Sequence, residues 1–392
     1  MTAAPHRGDR VPRMPRRIRR FLPLGLVASL LLLASACAAD APQDTLEPQG
    51  PISRQIDRLS DPVFLVAGVV FIIVEFGTLA LVLKFRKRKG ETDDDLPPQT
   101  HGNTRLEIGW TVLPAVVLGF VAVGTIATLV NINNRDEAAL HVQVEGQQWW
   151  WQYTYDTDDD GQFDDEVRTA HDLVIPAGVD VELNVTSQDV IHSFWIPALN
   201  GKKDAVPNRT HQLTLHADEP GTYVGQCTEY CGLSHAYMRQ RAIALPQDEF
   251  EAWLENQETE AEAPTEEEAA AGAELFTAQC SRCHLARGIN DQEYEDEGSG
   301  DDLVAGQAPD LTHFATRGVF AGGIFDLWQD EDGDDIVEFD EIGGDLNRID
   351  LEAWLRNPPG EKPMAPEARG MPNLELQEDQ IDQLVAFLQT LD

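Results

Sequence analysis

The chain has 392 residues, room for two or three domains. Its 29 Lys and Arg face 68 Asp and Glu, a formal net charge of -39. Such acidity excludes nucleic acid as a partner and steers a positively charged protein in, although a salt-adapted surface carries the same charge with no partner at all.

The first apolar stretch, residues 21–34, follows Arg16, Arg17, Arg19 and Arg20. It is too short to span a bilayer and has the basic front of a secretory signal, expected over residues 1–36. It ends in Ala34-Ser35-Ala36-Cys37, which resembles a lipoprotein processing site except that Ala34 stands where Leu is usual. Acylation of Cys37 and plain cleavage nearby both stay open. Residues 37–62 are expected outside the membrane.

Residues 63–83 and 111–130 each supply about the 20 apolar residues a bilayer core demands. Lys84, Arg86, Lys87, Arg88 and Lys89 follow the first span. Positive residues stay cytoplasmic, so residues 84–110 form an inside loop. The expectation is a two-helix transmembrane hairpin in the plasma membrane, in contact with lipid, with everything after about residue 131 outside. Glu75 sits mid-span, a functional position by default, with a protonated or hydrogen-bonded group facing another subunit as the alternative.

From Ala139 the period changes to two: Leu140, Val142 and Val144 alternate with polar residues, as do Val179, Val181, Leu183 and Val185. Pro176-Ala177-Gly178 and Pro220-Gly221 punctuate the runs, so residues 138–255 read as an all-β sandwich or barrel. Asp156-x-Asp158-x-Asp160-Gly161 opens like a Ca²⁺ loop, but Val167 replaces the bidentate Glu. Solvated acidic turns explain it, and Asp330 to Asp334, as well. Residues 256–271 form a charged linker. Helical patterns follow at residues 271–279, 351–355 and 377–391. The last places Ile381, Leu384, Val385 and Leu388 on one face. Residues 272–392 are therefore expected to be an all-α domain.

The chemistry lies in two short runs. Cys227, Cys231, His235 and Met238 fall in a segment broken by Gly232 and Ser234, expected as a loop bridging two strands. Thiolate, imidazole and thioether are the soft set that selects copper, whereas Met is an odd companion for zinc. His192, after a strand, is the best candidate for a second imidazole. The alternative is a Cys227–Cys231 disulfide. The second run, Cys280-Ser281-Arg282-Cys283-His284, gives two thioether bonds and one axial imidazole to haem c. A thioredoxin-like dithiol would need a βαβ context that is absent. Met364 and Met371 are the downstream methionines available as sixth ligand.

The run from Cys227 to Met238 resembles the binuclear copper (CuA) motif of cytochrome c oxidase subunit II. His101-Gly102-Asn103, Leu106 to Thr111 and Pro114 resemble that family's second membrane helix. Gly146 to Trp151 resembles its aromatic strand, with Gln147 where many members have His. Lys202, Asp204 to Pro207 and Arg209 resemble the segment after its first copper histidine, with Asn208 for Gly. The resemblance implies a cupredoxin-like fold in which Cys227 and Cys231 bridge two copper ions, His192 and His235 bind one each, and Met238 and the Glu229 carbonyl complete the shells. It implies a Mg²⁺ or Mn²⁺ at the Glu229 carboxylate, shared with subunit I. It makes Trp149 the residue that receives electrons and Glu107 the mouth of a proton path. Side-chain alternation in Trp149-Trp150-Trp151 predicts at least one unusually exposed indole.

The helical domain resembles class I cytochrome c. Gly370-Met371-Pro372 resembles its ligand loop, favouring Met371 over Met364, and Ala308 to Leu311 its histidine-side wall. The whole then resembles a subunit II with a fused cytochrome c. It would pass electrons from cytochrome c or a cytochrome bc complex through haem and CuA to subunit I, for oxygen reduction coupled to proton translocation, with subunit III as a further partner. A CuA-bearing subunit of a nitric oxide reductase and a copper-binding lipoprotein are the alternatives.

Overall fold

The computed structural model describes residues 42–86, 101–133, 138–158, 160–163, 167–290, 308–330, 333, 336–364 and 370–392. The signal-like stretch, Cys37 and residues 87–89 of the basic run lie outside the described residues.

Two apolar helices come first. α1 (Pro51–Phe85) has Pro51 at its first position, where a missing N–H is no loss. Ser53 Oγ accepts from Gly50 N–H at 3.1 Å and donates to the Gly50 carbonyl at 3.0 Å, closing that turn. α2 (Thr104–Asn133) is capped by Asn103, whose Oδ1 accepts from the Arg105 and Leu106 amides. Glu107 stands in its first turn, where the helix dipole favours a carboxylate. Both helices outrun their apolar spans: the 35 residues of α1 rise roughly 52 Å against a core of about 30 Å. Apolar side chains such as Phe71 and Leu118 point away from protein, as lipid-facing residues do. The start of α1 is tied to the β domain instead. Gln49 N–H donates to the Ala198 carbonyl at 2.8 Å, Asp218 N–H to the Gln49 carbonyl at 2.9 Å, and Arg54 pairs with Asp218.

The β domain has a five-stranded sheet in the order β3-β2-β1-β5-β8 and a three-stranded sheet in the order β4-β10-β9. Its strands are β1 (Leu140–Gln147), β2 (Trp150–Asp156), β3 (Val167–Ala170), β4 (Asp172–Pro176), β5 (Val181–Ser187), β6 (His192–Phe194), β7 (Lys203–Ala205), β8 (His211–Leu215), β9 (Gly221–Gln226) and β10 (Arg239–Leu245). The period-two residues line the core as expected. Val142 lies beside Leu183 and Val144 beside Val185 in the parallel β1–β5 register, and all four are buried. α3 (Gln247–Gln257) then packs Trp253 against Tyr155, with ring centroids 5.3 Å apart.

The last domain crosses α4 (Glu267–Gln279) with α7 (Glu378–Leu388). Phe276 meets Phe387 at 5.2 Å, and Gly272 lies so close to α7 that a methyl group would stand 2.0 Å from the Gln383 carbonyl oxygen. α5 (Arg348–Arg356) and the one-turn α6 (Pro358–Glu361) complete its helices. Two details differ from expectation. α4 starts four residues before the expected end of the linker at 271, because its small and acidic residues make a good first turn. A two-residue pair, β11 (Val319–Phe320) with β12 (Phe325–Asp326), breaks the all-α pattern.

The cytochrome-like domain is seated on the β domain through polar contacts, those of Asp172 and Arg241 buried. Asp172 accepts from Arg241 Nε at 2.9 Å and from Gly318 N–H at 2.7 Å. Arg241 Nη1 donates to the Val337 carbonyl at 2.8 Å. Arg239 N–H donates to the Gly322 carbonyl at 2.8 Å, and Thr222 Oγ1 to Glu338 at 2.6 Å.

Candidate metal centres

β9 and β10 are antiparallel neighbours, and the loop joining them holds Cys227, Cys231, His235 and Met238. A single 3-10 turn, His235–Tyr237, shapes its end. β6 brings His192 to the same end of the domain. Thr228 N–H donates to the Ser193 carbonyl at 3.0 Å, and Gln226 N–H to the Trp195 carbonyl at 3.2 Å. Gly146 is required here, since a methyl group would stand 2.8 Å from His192 Cδ2.

The donors converge. Cys227 Sγ and Cys231 Sγ are 3.8 Å apart and unbridged, so the disulfide alternative is not realised. His235 Nδ1 is 3.5 Å and Met238 Sδ 3.9 Å from Cys231 Sγ. The Glu229 carbonyl lies 3.4 Å from Cys227 Sγ. Ligand atoms of His192, Cys227 and Cys231 all fall within 4.8 Å of one another. His192 Nε2 is taken by Asp189 at 2.8 Å, while its Nδ1 is buried with no hydrogen-bond partner. That nitrogen's lone pair is left for a metal held beside the sulfurs. Two thiols, two imidazoles and a thioether are a donor set that fits two soft copper ions.

The electrostatics favour metal over protons. The hydrogen bond from Cys231 pulls the Cys227 thiol down to about 4, against the opposing effect of burial. The same bond and burial push Cys231 up. One proton is therefore shared across a pair that a cation would neutralise better. Burial alone would raise the Asp189 carboxyl, but hydrogen bonds from His192, Val190 N–H and Gln148 N–H hold it low. Asp189 thus stays anionic and orients His192. Replacing Asp189 with Ala should weaken copper retention about 10- to 100-fold, measured by competition with a copper chelator.

The second run wraps tightly after α4. Cys283 N–H and His284 N–H both donate to the Cys280 carbonyl, at 3.0 and 2.9 Å. This turn presents the two free thiols and the imidazole together. His284 Nδ1 donates to the Pro309 carbonyl at 2.8 Å, which leaves the Nε2 lone pair free to coordinate. Unbridged thiols, a fixed imidazole and a thioether from the same domain fit a covalently attached haem. Met371 packs with the cytochrome-domain core, whereas Met364 packs against the β-domain core.

The expected exposed indole is not found. Trp149, Trp150 and Trp151 are 4%, 8% and 0% exposed. Trp149 precedes β2 and lies in a turn, so the strand alternation does not reach it. Its Nε1 donates to the Cys231 carbonyl at 3.2 Å, and its own carbonyl accepts from Lys362 Nζ. The seated cytochrome-like domain is the cover. The Glu229 carboxylate is exposed and belongs to no cluster of three potential ligands among the described residues. Asp156, Asp158 and Asp160 do cluster within 4.8 Å, the last two exposed.

Sequence reasoning missed the support around these centres. Asp189 three residues before His192 was a readable signal. Lys362 was not: it is 5% exposed and donates to the Trp149 and Ala321 carbonyls. Burial brings its ammonium down to about 7, with Cys231 opposing. Ser234, beside His235, donates to the Pro363 carbonyl.

Fold and donors together define a membrane-anchored redox protein with cupredoxin-like and cytochrome c domains in one chain. The transmembrane domain of cytochrome c oxidase subunit II matches residues 44–127, its periplasmic domain residues 165–244, and cytochrome c residues 269–392. Cytochrome c oxidase subunit 2 of Alkalihalophilus pseudofirmus is 34% identical over 95% of this chain and 96% of its own. That of Bacillus sp. (strain PS3) is 32% identical over 78% and 80%. The periplasmic domain of subunit II from Bradyrhizobium japonicum, a solved structure, is 28% identical over 31% of this chain and 95% of its own, with a TM-score of 0.29. The chain belongs to the cytochrome c oxidase subunit II family, of the type with a fused C-terminal cytochrome c domain.

Proposed function

We propose that this subunit relays electrons from a cytochrome c or cytochrome bc donor, through a haem at Cys280, Cys283, His284 and Met371 and a dicopper centre, to subunit I, where oxygen is reduced and protons are moved. The observation that carries this reading is the pair of free thiols 3.8 Å apart with two imidazoles and a thioether around them. Cys227 and Cys231, with His192, His235 and Met238, would hold two copper ions, and such a pair would supply fast one-electron transfer. The protein holds that geometry through Asp189 on His192 and through the backbone bonds of the loop.

The reading extends to the membrane. Both domains stand on the extracytoplasmic side of the plasma membrane. Exposed Val190, Ile191, Tyr230 and Leu233 surround the copper loop and are the face offered to subunit I, with Glu229 reaching a shared Mg²⁺ or Mn²⁺. Glu107 opens a proton path. Subunit III completes the assembly.

Metal analysis and electron paramagnetic resonance of the purified chain test the reading. Two coppers and one haem per chain, with hyperfine structure from one electron spread over both coppers, are expected. A mononuclear copper signal at full loading contradicts it. Met371→Ala should lower the haem potential and change the visible spectrum, and Met364→Ala should leave the spectrum intact. The reverse result makes Met364 the ligand.

A further inference from the structure

The contact between the domains holds several buried basic side chains, among them Arg241, Arg317 and Lys362. His171 sits at the junction of β3 and β4, 4% exposed. Its φ of 71° is a left-handed conformation that non-glycine residues rarely hold without a reason. Backbone bonds fix it there: His171 N–H donates to the Trp151 carbonyl at 3.1 Å, and the His171 carbonyl accepts from Arg241 N–H at 3.2 Å. Trp150 lies edge-on to the imidazole at 6.3 Å. His171 Nδ1 is buried with no hydrogen-bond partner.

Arg317 faces the same region from the other domain. It is 2% exposed, and its Nε is also buried with no partner. Arg317, Lys362 and the haem-binding His284 all lie close enough for their charges to act on His171. Two of the nearby carboxylates are already engaged. Asp172 serves Arg241 and Gly318 N–H, and Asp310 serves Thr312. Two orphaned buried nitrogens, one on an imidazole and one on a guanidinium, cost several kcal/mol unless an acceptor joins them. A haem attached at Cys280 and Cys283 would carry two carboxylate side chains, anionic acceptors of the kind these two nitrogens lack.

We propose that His171, a residue of the copper domain, donates from Nδ1 to a haem propionate of the cytochrome domain, so that the haem site is closed from across the domain boundary. The inference rests on the haem reading above. Burial, with Arg317, Lys362 and His284, holds His171 neutral, so it acts as a neutral donor. Arg317 supplies the charge. The propionate then joins the redox group of one domain to the scaffold of the other, which a linker alone would not do.

The test uses the full-length purified chain and His171→Asn, because Asn accepts the left-handed backbone but its amide is too short to reach as far. Reduced-minus-oxidised infrared difference spectra with ¹³C-propionate haem should show the labelled carboxylate band shifted in the variant. The haem midpoint should fall, because an unbonded carboxylate favours ferric iron, by up to a tenfold change in the one-electron equilibrium, about 59 mV. The copper resonance signal should stay unchanged. An unshifted labelled band overturns the proposal, whether or not the potential moves, and leaves a water or a free anion as the acceptor. Failure of the unaltered chain to yield a covalent haem c in a pyridine haemochrome assay would strike the haem reading itself, and so is distinct.

Discussion

Cys227→Ser should abolish the dicopper centre while leaving the haem spectrum intact. A serine hydroxyl does not ionise near neutral pH and is a hard donor, so the bridging pair loses a soft anionic ligand. The loss cannot be shared out, because Cys227 is the thiol that ionises first, pulled to about 4 by its neighbour and by His192. Disturbing groups behind metal ligands already costs 10- to 100-fold, so loss of a bridge should cut oxidase turnover by at least about 100-fold. Visible spectra, copper counts and oxygen uptake on the same preparation check this. The haem band should persist, because Cys280 packs against another core cluster, on another domain, and Cys283 is hydrogen-bonded to it in the same turn.

Asp172→Ala should have the largest effect on stability. Asp172 and Arg241 are 2% and 5% exposed, and Asp172 also holds Gly318 N–H across the domain boundary. Removing one partner of a buried pair leaves the other charge unpaired, at a cost of about 3–5 kcal/mol. Gly318 packs so close to Arg241 that a methyl group would stand 1.9 Å from Nη2, so the guanidinium has little room to find a new acceptor. The expected results are a lower unfolding temperature in detergent and faster proteolysis in the segment between α3 and α4. Replacing both partners, as Asp172→Leu with Arg241→Met, should recover much of the loss. If Asp172→Ala unfolds and is cut like the unaltered chain, the pair does not hold the domains.

Both candidate centres were legible in the sequence because most of their donors lie in short runs, residues 227–238 and 280–284, with His192 and Met371 outside them. Chemistry that needs ligands a few residues apart leaves a local pattern. The β domain was legible for a similar reason, since Val142, Val144, Leu183 and Val185 alternate at the period of a half-buried strand. The seating of one domain on the other was not. Lys362 reaches the Trp149 carbonyl over 213 positions, and Asp172 reaches Gly318 over 146. No local period encodes such contacts. Trp149 shows the consequence: strand alternation predicted an open indole, and a distant segment covers it. His171 was silent as well, because a single histidine between a Thr-Ala pair and a strand carries no spacing signal.

The account stands on electrons moving from the cytochrome domain to the copper pair inside one chain. Photoinjection of a single electron into the haem of the oxidised, copper-loaded protein tests this most directly. The account predicts that reoxidation of the haem and bleaching of the copper centre's near-infrared band proceed with one rate constant, independent of protein concentration. A haem that stays reduced while the copper band is unchanged, or a rate that rises with concentration, would contradict it.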